Sequence, residues 1–159
     1  MKIKLYVIGK IKEPYLRSGI EEYLTRLTPY VKLEIIEVKD ESIRENPSEK
    51  EIEIAKNNEG ERVLKLIKNN EYLIALDLNK KQLKSEEFAD FLMQKLEENG
   101  STISFAIGGS YGLSEALKSR SNYSLSISNM TFTHQMTRLI LLEQIYRAFK
   151  IINNETYHK

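Results

Sequence analysis

Three of the chain's seven glycines fall in Gly108-Gly109-Ser110-Tyr111-Gly112, directly after the apolar run Phe105-Ala106-Ile107 and before Leu113-Ser114. Glycines at such a strand-to-helix turn allow φ > 0 and let a ligand reach main-chain N–H and C=O groups that a Cβ would block. The pattern is neither G-x-G-x-x-G nor a phosphate loop, because no Gly-Lys-Ser/Thr follows. A plain structural turn fits the bare pattern equally well. A second candidate is Leu125 to His134, small, polar and long for a strand-to-helix connection, although Thr133 could simply cap the helix that follows. Titratable candidates are few. The two histidines are His134, near a helix start and ordinarily a capping or surface residue there, and His158, in a tail Glu155-Thr156-Tyr157-His158-Lys159 that would ordinarily fray. Arg138, Glu143 and Arg147 are read as one side of the last helix, either as a Glu143–Arg147 ion pair or as an arginine facing a phosphate.

Composition narrows the chemistry. With no cysteine there is no thiolate nucleophile, disulfide, cysteine zinc site or cysteine-ligated iron–sulfur cluster. Two histidines do not make a multi-histidine metal site within one chain, so no metal is expected. The net charge of +1 is unevenly divided: residues 1–20 carry +4, residues 110–159 carry +3, and the stretch between carries −6. Basic ends could offer a positive face to a polyanion; segregation of solvated charges is the plainer alternative. No run approaches the roughly 18 apolar residues of a membrane span, and the alternating start Met1 to Gly9 does not resemble a signal peptide. A cytoplasmic location is the expectation.

The elements that must position these residues follow from periodicity. Strand-length apolar patterns occur at Lys2 to Ile8, Val31 to Val38, Tyr72 to Leu76, Thr102 to Ile107 and Tyr123 to Ile127. Helical patterns lie between them at Tyr15 to Leu27, Glu49 to Ile67, Glu86 to Leu96 and Glu115 to Lys118. Ser48 with Glu51 forms a capping box for the second. The last helix, Gln135 to Ile152, is apolar nearly all round through Leu139-Ile140-Leu141-Leu142, Ile145, Ala148, Phe149 and Ile152. Such a helix needs cover on two sides, from the sheet and from a second copy of the chain, or else a central place in the core. Strands alternating with helices predict one α/β domain over residues 1–159, a mostly parallel sheet flanked by helices. Ligands in such sheets bind outside the carboxyl ends of the strands, where Leu76-Asp77, Gly108-Gly109 and Ser126 to Phe132 converge.

Taken together, Leu76-Asp77, Ile107-Gly108-Gly109 with Gly112-Leu113-Ser114, Leu125-Ser126, Thr131-Phe132-Thr133-His134, Arg138, Glu143 to Ala148 and Tyr157-His158-Lys159 resemble the RlmH family. These are SPOUT-class methyltransferases acting on N3 of a pseudouridine in 23S ribosomal RNA. The resemblance spans the whole chain, with Thr156 where the family commonly has Pro and Asn79-Lys80-Lys81 where many members have Gly. It implies a homodimer with a trefoil knot, a feature general folding rules would reject. It also implies S-adenosylmethionine held by Leu76, Gly108, Ile127, Ser128, Asn129, Met130, Thr131 and Phe132. On the same basis His158, positioned by Tyr157, removes or accommodates the N3 proton, while Arg138 and Lys159 hold RNA backbone or offset charge. The implied partner is 23S rRNA within the large subunit or 70S ribosome, since a net charge of +1 grips naked RNA weakly. The competing expectation is a ribosome-associated RNA-binding protein with this fold and no catalysis.

Overall fold

The structure, a computed structural model, describes residues 1–159. Ten elements alternate along the chain: β1 (Lys2–Ile8), α1 (Pro14–Leu27), β2 (Lys32–Val38), α2 (Glu49–Leu64), β3 (Leu73–Lys81), α3 (Ser85–Glu98), β4 (Thr102–Ile107), α4 (Glu115–Arg120), β5 (Tyr123–Leu125) and α5 (His134–Ile152). The strands form one sheet in the order β2-β1-β4-β3-β5, and every pairing is parallel. All five carboxyl ends therefore open on one edge.

Period-two alternation sorts the side chains to two faces. Ile3, Leu5 and Val7 of β1 join Ile103, Phe105 and Ile107 of β4 in a core covered by α1, α3 and α5. Tyr6 and Ile8 join Leu73, Ala75 and Ala106 on the opposite face, covered by Val63 of α2 and Leu117 of α4. Ser48 accepts from the Glu51 N–H and the Glu51 carboxylate reaches back, so α2 starts where the capping box places it. α5 lies between α1 and α3. Its residues Leu141, Leu142, Ile145, Ala148 and Phe149 are buried against the sheet, while Met136, Leu139, Ile140, Arg147 and Ile151 remain half-buried.

The sequence boundaries hold for β1 and β4 and shift elsewhere by a few residues, most at β3, which runs five residues beyond Leu76. Leu125 is register partner to both Leu76 and Lys81, so Asp77 to Lys80 bulge out between two pairing points. Asn79 takes φ +57° to make that excursion, a left-handed conformation that asparagine tolerates better than most residues. The Ser126 N–H then donates to the Lys81 carbonyl at 2.9 Å. β5 is correspondingly short, ending at Leu125 rather than Ile127.

Candidate active site

A cleft of about 1250 Å³ opens at the carboxyl edge of the sheet. Four chain segments wall it, with Lys118 of α4: Leu76 to Lys80 in the outward excursion of β3, Ile107 to Leu113 after β4, Leu125 to Thr137 from the end of β5 into the start of α5, and Glu13 to Leu16 at the start of α1.

The glycine turn is tight because it must be. A Cβ on Gly108 would lie 2.5 Å from the Gly112 carbonyl carbon and 2.8 Å from its Cα and oxygen. Gly112 itself takes φ +91°, and its N–H donates to the Gly109 carbonyl at 3.1 Å. Ser114 caps α4 by accepting from the Leu117 N–H at 3.2 Å. Behind the turn sits Glu59 of α2, buried, within reach of Gly109 and accepting from the Glu41 N–H at 3.0 Å. Burial pushes its carboxyl above the usual range and the neighbouring Asp40 adds to this, against the Glu41 bond and the Arg62 charge.

The long loop is shaped by its own hydroxyls. Ser126 donates to the Ser128 carbonyl at 3.0 Å, the Met130 N–H donates to Ser128 Oγ at 3.0 Å, and Thr133 accepts from the Met136 N–H to start α5. Leu76, Gly108, Ile127, Ser128, Met130, Thr131 and Phe132 all line the cleft. Asn129 turns away to accept from Gln82 at the α3 side. Tyr15, Leu78, Tyr111, Met130 and Phe132 are exposed large apolar side chains, and all five line this one cleft.

Sequence reasoning missed part of the wall. Tyr15 and Leu16 face the cleft because α1 follows the carboxyl end of β1, so the strand-end rule applied to β1 as well would have found them. His134, read as a cap or surface residue, is half-buried in the cleft wall beside Gln135 and Thr137. Burial holds its imidazole below the usual histidine range, helped by the Arg138 charge and opposed by Asp40.

Arg138 is placed differently from the sequence reading. It is 2% exposed, does not line the cleft, and donates to the Ile8 and Gly9 carbonyls at 3.3 and 3.0 Å and to Glu37 at 3.4 Å. Its Nε has no partner. Nor does it share a side with Glu143 and Arg147: five residues at 3.6 per turn rotate a position by about 140°.

Glu143 and Arg147, one turn apart, do pair, and they organise the tail. Tyr157 donates to Glu143 Oε1 at 2.9 Å, its hydroxyl lies 3.3 Å from that of Tyr23, and its ring lies under the Arg147 guanidinium at 4.7 Å. His158 Nδ1 lies 3.1 Å from Arg147 and Nε2 lies 2.8 Å from Glu86 of α3. None of Tyr157, His158 and Lys159 lines the cleft of its own chain.

Comparison with known proteins places this architecture. The profile of a family described as predicted SPOUT methyltransferase matches residues 1–158. Proteins named ribosomal RNA large subunit methyltransferase H from Carboxydothermus hydrogenoformans and Clostridioides difficile are 53% and 54% identical to the chain. Each alignment covers all of both chains. The structure of a probable methylase family protein from Haemophilus influenzae Rd KW20 shares the fold, with TM-score 0.54 at 14% identity over 99% of this chain and 70% of that one. With a strand-end cleft built on a glycine turn, and with the family profile matched over nearly its full length, the chain belongs to the SPOUT methyltransferases.

Proposed function

We propose that the cleft binds S-adenosylmethionine and that the protein methylates N3 of a pseudouridine in 23S rRNA of the assembled large subunit or 70S ribosome, acting as a homodimer in the cytoplasm. One observation carries the reading. The cleft is walled by Leu76, Gly108 and the Ile127 to Phe132 loop, in a chain about half identical, end to end, to proteins named ribosomal RNA large subunit methyltransferase H. The residues present fit such a ligand. Gly108, having no Cβ, lets the turn close onto the Gly112 backbone at the cleft wall, the Ile107, Leu125 and Ile127 side chains offer an apolar floor, and the Ser126 and Ser128 hydroxyls bond within the loop. When bound, S-adenosylmethionine supplies a methyl group activated on a sulfonium.

The protein's part is alignment and exclusion of water, which together lower a displacement barrier by about 7–11 kcal/mol. No covalent adduct is needed at an imide nitrogen, which accords with a chain that has no cysteine. The exposed apolar rim of Tyr15, Tyr111, Met130 and Phe132 and the half-buried outer stripe of α5 supply the surface for a second copy. In that dimer the Tyr157-His158-Lys159 tail of one chain approaches the cleft of the other, which its own chain's tail does not line. Lys159, exposed at the end, then meets RNA phosphate. Arg138 acts from beneath, tying the start of α5 to the end of β1. A trefoil knot belongs to the same reading, with β5 and α5 threaded past the β3 excursion; the Ser126-to-Lys81 bond and the β2-β1-β4-β3-β5 order support it.

Calorimetric titration with S-adenosylmethionine tests the cleft. Stoichiometric binding is expected, and its absence would favour the ribosome-binding alternative without catalysis.

A further inference from the structure

We infer that His158 serves the reaction as an N–H donor through Nε2, with Arg147 fixing that tautomer and Glu86 occupying the N–H until substrate replaces it. The inference rests on reading the protein as a pseudouridine N3-methyltransferase, and it gives the tail histidine a different task from the proton removal expected of it.

A guanidinium has five N–H groups and no lone pair, so Arg147 at 3.1 Å from His158 Nδ1 donates, and Nδ1 accepts. Arg147 has no freedom to turn away, since Glu143 engages its Nε and NH2 from one side and the Tyr157 ring lies 4.7 Å from it on another. The Nδ1 lone pair is therefore occupied, and the remaining ring proton is on Nε2, where it is donated to Glu86 Oε1 at 2.8 Å. Such an imidazole has no lone pair left with which to take a proton. A carboxylate–imidazole dyad, with Glu86 orienting a basic histidine, would need Nδ1 open to the substrate; Arg147 closes it.

What the ring does offer is a preset donor. When the imide of a pseudouridine loses its N3 proton to bulk water before the reacting atoms are enclosed, the negative charge spreads over N3 and the two flanking carbonyl oxygens. N3 then forms the new bond to the methyl carbon, and sulfur keeps the electron pair of the bond that breaks. An Nε2–H aimed at one carbonyl oxygen stabilises that charge as it develops, and donors of this kind are worth about 10²- to 10³-fold in rate. Glu86 is a stand-in for that oxygen. It sits in the first turn of α3 with its side chain 60% exposed, so an incoming anionic group can displace it without opening the core.

Two measurements test this. The first is a long-range ¹H–¹⁵N spectrum of the ligand-free protein with labelled histidine, assigned with His158→Gln. The account expects Nδ1 unprotonated and Nε2 protonated in the wild type, and a mixture of tautomers in folded Arg147→Leu. A wild-type Nδ1–H tautomer, or an Arg147→Leu spectrum identical to wild type, overturns it. The second is methylation kinetics on ribosomes lacking the modification. His158→Ala should lower kcat about 10²- to 10³-fold, whereas His158→Gln, which keeps an N–H and no basicity, should stay within about tenfold of wild type. Glu86→Ala should keep kcat and lower the KM for ribosomes. Equal losses in the two His158 variants, or a collapse of kcat in Glu86→Ala, would restore the base. If the wild type transfers no methyl group to ribosomes, the functional reading fails on its own, and the tautomer spectrum still decides the Arg147 assignment.

Discussion

Replacing Gly108 with alanine perturbs the cleft at its tightest point. The added Cβ would lie 2.5 Å from the Gly112 carbonyl carbon, where contacts below 3.4 Å are already tight. The obstacle is backbone, so the whole 108–112 turn must retreat by about 0.9 Å, the difference between those two distances. Overpacking of this kind costs about 1–3 kcal/mol of stability, and at about 2–4 °C per kcal/mol in a domain of this size the melting temperature should fall by about 2–12 °C. A displacement near 1 Å in a positioning element costs about 10²-fold in function, so the Kd for S-adenosylmethionine should rise by about that factor. The matched control is Gly100→Ala, at φ +64° with open space around it and at the opposite end of the sheet. Its backbone strain costs about 1–2 kcal/mol and should leave ligand affinity unchanged. Calorimetric titration and thermal melting of both variants give the answer. A Gly108→Ala protein that binds S-adenosylmethionine with wild-type affinity would refute the role given to the turn.

Glu71 is 6% exposed at its side chain and accepts from Lys4, Tyr6, Ser104 and the Lys68 N–H at the other end of the sheet. Burial pushes its carboxyl up, but the bonds from Ser104, Lys4, Lys68 and Tyr6 outweigh this and hold it below the usual range. The stability it contributes is therefore complete above the unfolded carboxylate value near 4.5 and is lost as pH falls through the lower folded value. Glu71→Gln should flatten the acid limb of a stability-versus-pH curve and cost about 1.5–3 kcal/mol at pH 7 in urea unfolding. Glu59 has the opposite sign, since its folded value is raised. Its carboxylate opposes folding as pH rises past the unfolded value, so Glu59→Gln should melt no lower than wild type at pH 7 and lose that advantage near pH 4. Arg138→Ala strands the Ile8 and Gly9 carbonyls, each such loss costing about 1–3 kcal/mol. A large fall in denaturation midpoint is expected, and unchanged stability with lost RNA affinity would instead mark Arg138 as an RNA contact. Met130→Asp, on a side chain 75% exposed in the single chain, should shift sedimentation from dimer towards monomer.

Much of this was legible in the residues. Period-two alternation placed β1 and β4 to the residue, and the Ser48–Glu51 capping box fixed the start of α2. The strand-end rule brought Leu76, Gly108 and the loop after β5 to one cleft. The extension of β3 was not legible, because the apolar pattern stops at Leu76, and only the re-pairing of Lys81 with Leu125 makes the polar stretch beyond it strand. Arg138 misled for a related reason: it was read as facing a phosphate, whereas the β1 carbonyls that bury it are remote in sequence. The tail was flagged as functional by family resemblance alone. No periodicity in five residues could show that Glu143, Arg147 and Glu86 hold it.

The most direct test of the central claim is mass spectrometry of rRNA methylated in vitro. Purified protein, isotopically labelled S-adenosylmethionine and ribosomes from a strain lacking this chain are combined, and the nucleosides are resolved after digestion. The account predicts one labelled methyl group per 23S rRNA, on N3 of a pseudouridine. Label on another base or on small-subunit rRNA, or no label at all, would contradict it.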